Sequence, residues 1–423
     1  PRQIETESDT ARFLVGGEGS FGNWDYKFGY SQAYSESRSK LAGGYYFNDK
    51  FVPLIKTGVL NPFLAPGQSQ SAEAMAALAA ASATGTTLYG GRYTVDQADA
   101  SVSGPLWKLP AGDLMAAFGV DLRTEKYRFN GNETDLATQS NIFGAPFDSI
   151  NTLNTVKRDV NAVFAEFLVP VFKNLEATAA VRHDHYSGFG GTTNPKFTLR
   201  FTPSQEVLFR ASYNTAFRVP TFNQQFFGVT ESPYSGKDLV DPAKCPTLVV
   251  STAAGCASIT PTTLFGGRPD LQPEKAKMGS AGIVLAPTSW FSANADYWEI
   301  RRQGTIQALP LSTIVANYTL FPSSFIRDAA GNLVTIDTRW LNAGDTITKG
   351  MDLGAKMNGA LGPGKFNLSI DGTYLFDRRS RLVASAAFGG NEVGTFSRTG
   401  DIPVRWKHVA AFSYTLGPWI GPV

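Results

Sequence analysis

The chain has 423 residues, of which 43% are apolar and only 17% charged, with 42 glycines and 12% aromatic side chains. Its 38 basic and 36 acidic residues are mixed along the sequence and leave a net charge of +2, which excludes the basic arm or stripe of a nucleic-acid binder. So few charges beside so many glycines and aromatics suit a large β-structure whose outer surface does not face water alone. A soluble chain of this length would divide into two or three domains. No break in composition marks a boundary, so residues 1–423 are read as one unit.

In chain order, the opening stretch PRQIETESDTARFLVGGEG lacks the basic start and apolar core of a signal peptide. It reads as the middle of a protein, with the first convincing strand about ten residues in. WDYKFGYS then sets Trp24, Tyr26, Phe28 and Tyr30 against Asp25, Lys27 and Ser31. AMAALAAASA, residues 74–83, is Ala-rich and favours a helix, but it is too short to span a bilayer and predicts a short loop helix. DLMAAFGVDLR places Leu114, Ala116, Phe118, Val120 and Leu122 on one face, and LEATAAVRHD does the same with Leu175, Ala177, Ala179 and Val181. EVLFRASYN aligns Val207, Phe209, Ala211 and Tyr213; KFNLSIDGTYLF aligns Phe366, Leu368, Ile370, Tyr374 and Phe376. The alternation holds for about ten residues at a time, enough for a tilted strand to cross a bilayer and longer than the usual soluble strand.

The connections alternate as well. Short ones lie at 19–23, 108–112, 169–174, 202–205, 286–289 and 361–364, and long tracts at roughly 41–93, 131–154, 216–275, 308–341 and 382–403. One compact exception is GFGG at 188–191. Short periplasmic turns and long extracellular loops are the habit of outer-membrane barrels. The expected fold is therefore all-β, a transmembrane antiparallel β-barrel with about thirteen strands between residues 11 and 416. An odd number cannot close a single-chain bacterial barrel, so further strands are expected at one or both ends.

Cys245 and Cys256 sit close together in a polar loop without a neighbouring His or third Cys. That set does not suit a metal; a disulfide in an oxidising compartment, stabilising its loop by about 3 kcal/mol, is expected. His183 and His185 share a strand face that Asp184 opposes, so a metal site is not expected there. No nucleophile or phosphate-loop motif stands in a supporting context. Neither an enzyme nor a cofactor is expected.

The stretch PKFTLRFTPSQEVLFRASYNTAFRVPTF resembles the central signature of TonB-dependent outer-membrane receptors, a strand hairpin ending in Phe-Arg-x-Pro, here Phe217, Arg218 and Pro220. GPLWKLPAGDLMAAFGVDLRTEKY is similar to the family's Leu-Pro-Ala-Gly hairpin, and RDVNAVFAEFLVPVF with AAVRHDHYSGFGGTTNPKFTLRF to the hairpin before the signature. RPDLQPEKAKMGSAGIVL resembles the Asn-Pro-x-Leu-x-Pro-Glu element, here Pro269, Leu271, Pro273 and Glu274, with Arg268 where Asn is common. SANADYWEIRRQGTIQ and TKGMDLGAKM continue the series over nearly the whole chain.

The resemblance implies about thirteen strands of a probable 22 in the outer membrane of a Gram-negative bacterium, with lipid around it and no plug domain within this stretch. It also implies a TonB partner acting through that plug. Energy-dependent uptake of scarce bulky ligands follows, ferric siderophores by default, with oligosaccharide, cobalamin or haem as alternatives and a passive channel as a further one. Arg218 is expected either to hold its strand end by carboxylate pairing or to touch an anionic ligand, while Pro220 keeps the exit extended. Ligand contacts are expected from aromatic residues of the long loops, Phe226, Phe227, Tyr234, Tyr318 and Trp340.

Overall fold

The computed structural model describes residues 1–129, 142–143, 155–396, 402–417 and 419–422. Fourteen antiparallel strands form one continuous sheet in chain order: β1 (Gln3–Phe21), β2 (Trp24–Gly43), β3 (Thr87–Leu109), β4 (Gly112–Phe129), β5 (Val156–Phe172), β6 (Leu175–Tyr186), β7 (Gly190–Ser204) and β8 (Val207–Arg218) lead. Four short strands of the loops follow as β9 (Thr230–Pro233), β10 (Thr262–Phe265), and, later in the chain, β14 (Phe325–Arg327) and β15 (Leu333–Asp337). The large sheet resumes with β11 (Glu274–Thr288) and β12 (Phe291–Gln303), and after β13 (Ile306–Gln307) and β16 (Leu341–Asn342) it continues through β17 (Asp345–Leu361), β18 (Gly364–Arg381), β19 (Trp406–Leu416) and β20 (Trp419–Pro422). Among the described residues no ladder joins β1 to β20, so the sheet ends in two free edges.

Thirteen of these strands lie before residue 417, as the alternation predicts, and the fourteenth corrects the reading that ended the strands at residue 416. Gly417 takes a positive φ of 59°, the conformation a side chain resists, and returns the chain to pair Trp419 with Leu416. A second correction concerns the start: β1 begins at Gln3. Residues 3–10, QIETESDT, are polar on both faces, so they carry no alternation to read. Many strands exceed the about ten residues that cross a bilayer: β2 has 20 and β3 has 23.

The sheet curves. After β8 the chain turns into α3 (Phe222–Phe226), whose Phe222 ring packs 6.1 Å from both Tyr93 on β3 and Tyr127 on β4. A segment leaving β8 reaches β3 and β4 only by crossing a concave face. That face carries the charged ladder: Arg182 lies between Asp121 and Asp184, at 3.5 and 2.9 Å, and Arg210 forks onto Asp296 at 2.7 and 2.5 Å. Gly282 stands between Arg210 and Asp296 in the register; a Cβ there would meet an Asp296 carboxylate oxygen, so glycine lets the pair close over β11. The convex face carries Val120, Leu122, Val163, Val181, Phe197, Phe209 and Tyr213, all exposed. This is the arrangement of a transmembrane strand set, apolar toward lipid and polar toward a lumen.

Two short helices lie in the connection between β2 and β3, α1 (Asn48–Lys56) and α2 (Ala72–Ala80). The Ala-rich run predicted α2, which Ser71 caps by accepting the Ala74 N–H at 3.1 Å. Nothing local announced α1, which holds Pro53 in its interior. Most of the long tract predicted at 131–154 lies outside the described residues.

The connections 219–273 and 304–344, which the sequence marks only as long tracts, fold on each other into a cap. The strands β14, β15, β10 and β9 form one small sheet, in that order, and β13 pairs β16. Leu239, Leu309, Ile314, Phe321, Leu333 and Ile336 make its core, with Ile314 and Ile336 fully excluded from solvent on helix α4 (Leu311–Ala316) and β15. Apolar burial of this kind holds a loop in one conformation.

Candidate functional site

The cap is anchored where β8 ends and β11 begins. Arg218 and Glu274 face each other in the register, and the guanidinium Nε donates to the Glu274 carboxylate at 2.7 Å. The second oxygen of Glu274 accepts the Ile306 N–H at 2.5 Å. One carboxylate thus fastens both ends of the 219–273 connection and the start of the next one. Phe217 lies edge-on to Tyr186, 5.2 Å between centroids. Pro220 is fully buried and its carbonyl accepts Arg158 Nη2 at 3.0 Å.

Past Pro220, Thr221 closes a capping box with Gln224 at the start of α3. Gln225 then donates to the Pro269 carbonyl at 3.2 Å, and the Arg268 N–H donates to the Gln224 carbonyl at 2.8 Å. Leu271 is buried and Pro273 leads into Glu274. The residues of the two sequence motifs therefore converge on one knot. Of the two roles open to Arg218, the geometry shows carboxylate pairing; Glu274, the partner, belongs to the other motif.

Beside the knot is a hollow of about 310 Å³ on the concave face, edged by Tyr93, Glu125, Tyr127, Arg158, Phe222 and Asn223. Arg158 is 5% exposed, with its guanidinium 4.5 Å above the Phe222 ring and its Nη1 3.9 Å from Glu125. Two phenols, a carboxylate and a guanidinium line an aromatic niche at the low end of small-ligand pocket sizes. Sequence reading missed it. Its only signal is register: Tyr93 pairs with Tyr127 and Glu125 with Arg158 on adjacent strands, a relation invisible along the chain.

The five loop aromatics do not gather at one place. Phe226 stacks on Phe222 at 6.4 Å, and Phe227 follows it as the helix ends, its carbonyl accepting the Gly267 N–H at 2.8 Å. Tyr234 packs against the cap core and donates to Asp238. Tyr318 lies edge-on to Phe325, and the Trp340 N–H donates to the Gly266 carbonyl at 3.4 Å. Three of the five thus belong to the cap, and two to the helix over the concave face.

Buried charges hold the cap together. Arg327 forks onto Asp241 at 2.6 and 2.7 Å, and the Arg327 guanidinium holds that buried carboxylate below its ordinary pKa. Asp337 is shared by Arg268 and Arg339, at 2.9 and 2.8 Å. Cys245 and Cys256 are disulfide-bonded and pack with Val240 beside Asp241. His183 Nδ1 lies 2.8 Å from Thr193 Oγ1, while Asp184 turns to Arg182 on the opposite face; no cluster of metal-ligating side chains occurs among the described residues.

The folded chain is similar to receptors and a transporter of known structure. The siderophore receptor PirA of Acinetobacter baumannii matches with a TM-score of 0.57 at 11% identity, over 97% of this chain and 56% of that one. A mutant ferric enterobactin receptor (PfeA) of Pseudomonas aeruginosa matches with 0.58 at 13%, over 97% and 54%. The outer membrane transporter YddB of Escherichia coli matches with 0.58 at 11%, over 98% and 50%. At such identities the likeness is one of fold, and the chain spans about half the length of these proteins. No curated protein sequence matches it. The family "TonB dependent receptor-like, beta-barrel" matches residues 2–421, so the chain belongs to the TonB-dependent receptor β-barrel family.

Proposed function

We propose that this chain forms part of the wall and outer cap of an outer-membrane receptor in a Gram-negative bacterium, importing a scarce, bulky ligand with energy from a TonB complex. Ferric siderophores are the first cargo to test, because one of the similar structures is named a siderophore receptor and another a ferric enterobactin receptor. Oligosaccharide, cobalamin and haem are the alternative cargoes.

The observation that carries the reading is the knot. Arg218, Pro220, Leu271 and Glu274 fold a long connection onto the polar concave face and set a structured cap above it. A passive pore has no need of such a cap, and that second reading rests on the polar lumen alone.

The test expresses the full-length receptor in a Gram-negative strain without its own siderophore receptors and follows labelled ferric siderophore and labelled oligosaccharide. The expected result is iron uptake that stops when TonB is deleted. Sugar import without iron import sinks the siderophore reading. Uptake that persists without TonB sinks the energised one.

A further inference from the structure

The concave face is ordered in rows that neither the knot nor the niche explains. Thr178 on β6 pairs Thr198 on β7, Thr198 pairs Ser212 on β8, Ser212 pairs Ser280 on β11, and Ser280 pairs Trp298 on β12. Opposed residues of a ladder project to the same side of the sheet. Five adjacent strands therefore present one row of hydroxyls that ends in an indole, and the Ser212 and Ser280 hydroxyls are hydrogen-bonded at 2.8 Å. The row continues at Gly350 on β17, where an added Cβ would come within 2.5 Å of the Trp298 ring. Glycine at that point lets the indole lie over the wall.

The neighbouring rows carry charge, but in matched pairs. On one side Arg200 meets Glu176 at 3.1 Å and Arg210 forks onto Asp296. On the other, Glu166 and Lys196 share a row through Ala180, one of each sign. Elsewhere on this face Arg123 and Arg158 share Glu125 at 3.0 and 3.9 Å, Arg182 lies between Asp121 and Asp184, and Arg218 is held by Glu274. Each arginine that β4 to β8 turn to the concave face thus stands against a carboxylate of the same wall.

An anionic ligand on this surface would lose hydration and meet cations that are already paired. Hydroxyls and an aromatic face suit instead an uncharged ligand rich in oxygen. Among iron chelates that difference is one of chemistry. Three hydroxamate groups each release one proton and cancel the charge of iron(III), whereas three catechols each release two and leave the complex with three negative charges.

We propose, resting on the ferric-siderophore reading, that the cargo is an uncharged tris-hydroxamate iron chelate, and that the Arg200–Glu176 and Arg210–Asp296 pairs set this choice by keeping the wall neutral beside the hydroxyl row.

The test measures binding of labelled iron by the purified full-length receptor in detergent, with two probes: ferrichrome, an uncharged tris-hydroxamate chelate, and ferric enterobactin, a tris-catecholate. Ferrichrome is expected to bind more tightly by about tenfold or more. The Glu176→Gln/Asp296→Asn variant keeps hydrogen-bond acceptors but frees two guanidiniums, and is expected to bind ferrichrome as before while the preference shrinks by about tenfold. Equal or tighter binding of ferric enterobactin by the unaltered receptor would overturn the proposal and leave the siderophore reading standing. An unchanged preference in the variant would do the same, as would loss of its ferrichrome binding, which would mean that the pairs hold the fold and not the choice. Binding of neither chelate would overturn the proposal together with the ferric-siderophore reading.

Discussion

Asp241→Ala is expected to destabilise the cap by about 3 kcal/mol, within the range for losing charged hydrogen bonds and breaking a largely buried ion pair. The Asp241 side chain is 5% exposed against 29% for Arg327. Removing the acid therefore leaves a guanidinium that recovers some hydration, which keeps the cost at the lower end of the range for buried pairs. The Ala243 N–H also loses its acceptor at 3.0 Å. Hydrogen exchange on the full-length receptor checks this: amides of 230–265 and 325–337 exchange faster, while the ladders of β3 to β8 do not change. In the double variant Asp241→Ala/Arg327→Ala, the costs of the two single changes are expected not to add. Because the folded carboxylate titrates below its unfolded value, its contribution is present above the unfolded carboxylate pKa and is lost as pH falls through the folded one. Cap loosening on acidification, ahead of the barrel wall, is the matching result.

Glu274→Ala is expected to cost more than Arg218→Ala, although the two residues form one pair. Glu274 is 14% exposed and serves two donors, the Arg218 guanidinium and the Ile306 N–H, whereas Arg218 is 49% exposed and can turn to water. The expected losses are about 2–3 kcal/mol for the acid and about 1 kcal/mol or less for the base. Glu274→Gln, which keeps an acceptor for Ile306, is expected to fall between them. Proteolysis of the full-length receptor within 219–273 and 304–344 reads the order directly. Equal losses from both alanine variants would mean that Glu274 acts only through Arg218.

The wall of this fold was legible because its signal is local. Phe209, Ala211 and Tyr213 alternate with Arg210, Ser212 and Asn214, and the two faces meet different solvents, so face and strand follow from neighbours in the chain. Where both faces are wet the signal fades, which is why residues 3–10 of β1 were not read as strand. The cap was illegible for a different reason: Ile314 and Ile336 sit in apolar runs of a few residues, and Asp241 finds Arg327 at a separation of 86 residues. Motif residues such as Arg218 and Glu274 were identified singly, but that they hold each other is a fact of register between β8 and β11. The pocket of Tyr93, Tyr127 and Arg158 depends on three strands and a helix that leaves a fourth, and no window of sequence contains it.

The central claim is that one face of this sheet meets lipid and the other a water-filled lumen, and β8 tests it most directly. Cys245 and Cys256 are bonded to each other, so a cysteine added to β8 is the only free thiol among the described residues. Single cysteines from Phe209 to Thr215 in the full-length receptor, spin-labelled in membrane vesicles, report access to oxygen and to a water-soluble nickel chelate. The prediction is a period of two, with oxygen access highest at 209, 211 and 213 and nickel access highest at 210, 212 and 214. Uniform nickel access along the strand, or the opposite phase, would contradict the membrane-spanning wall.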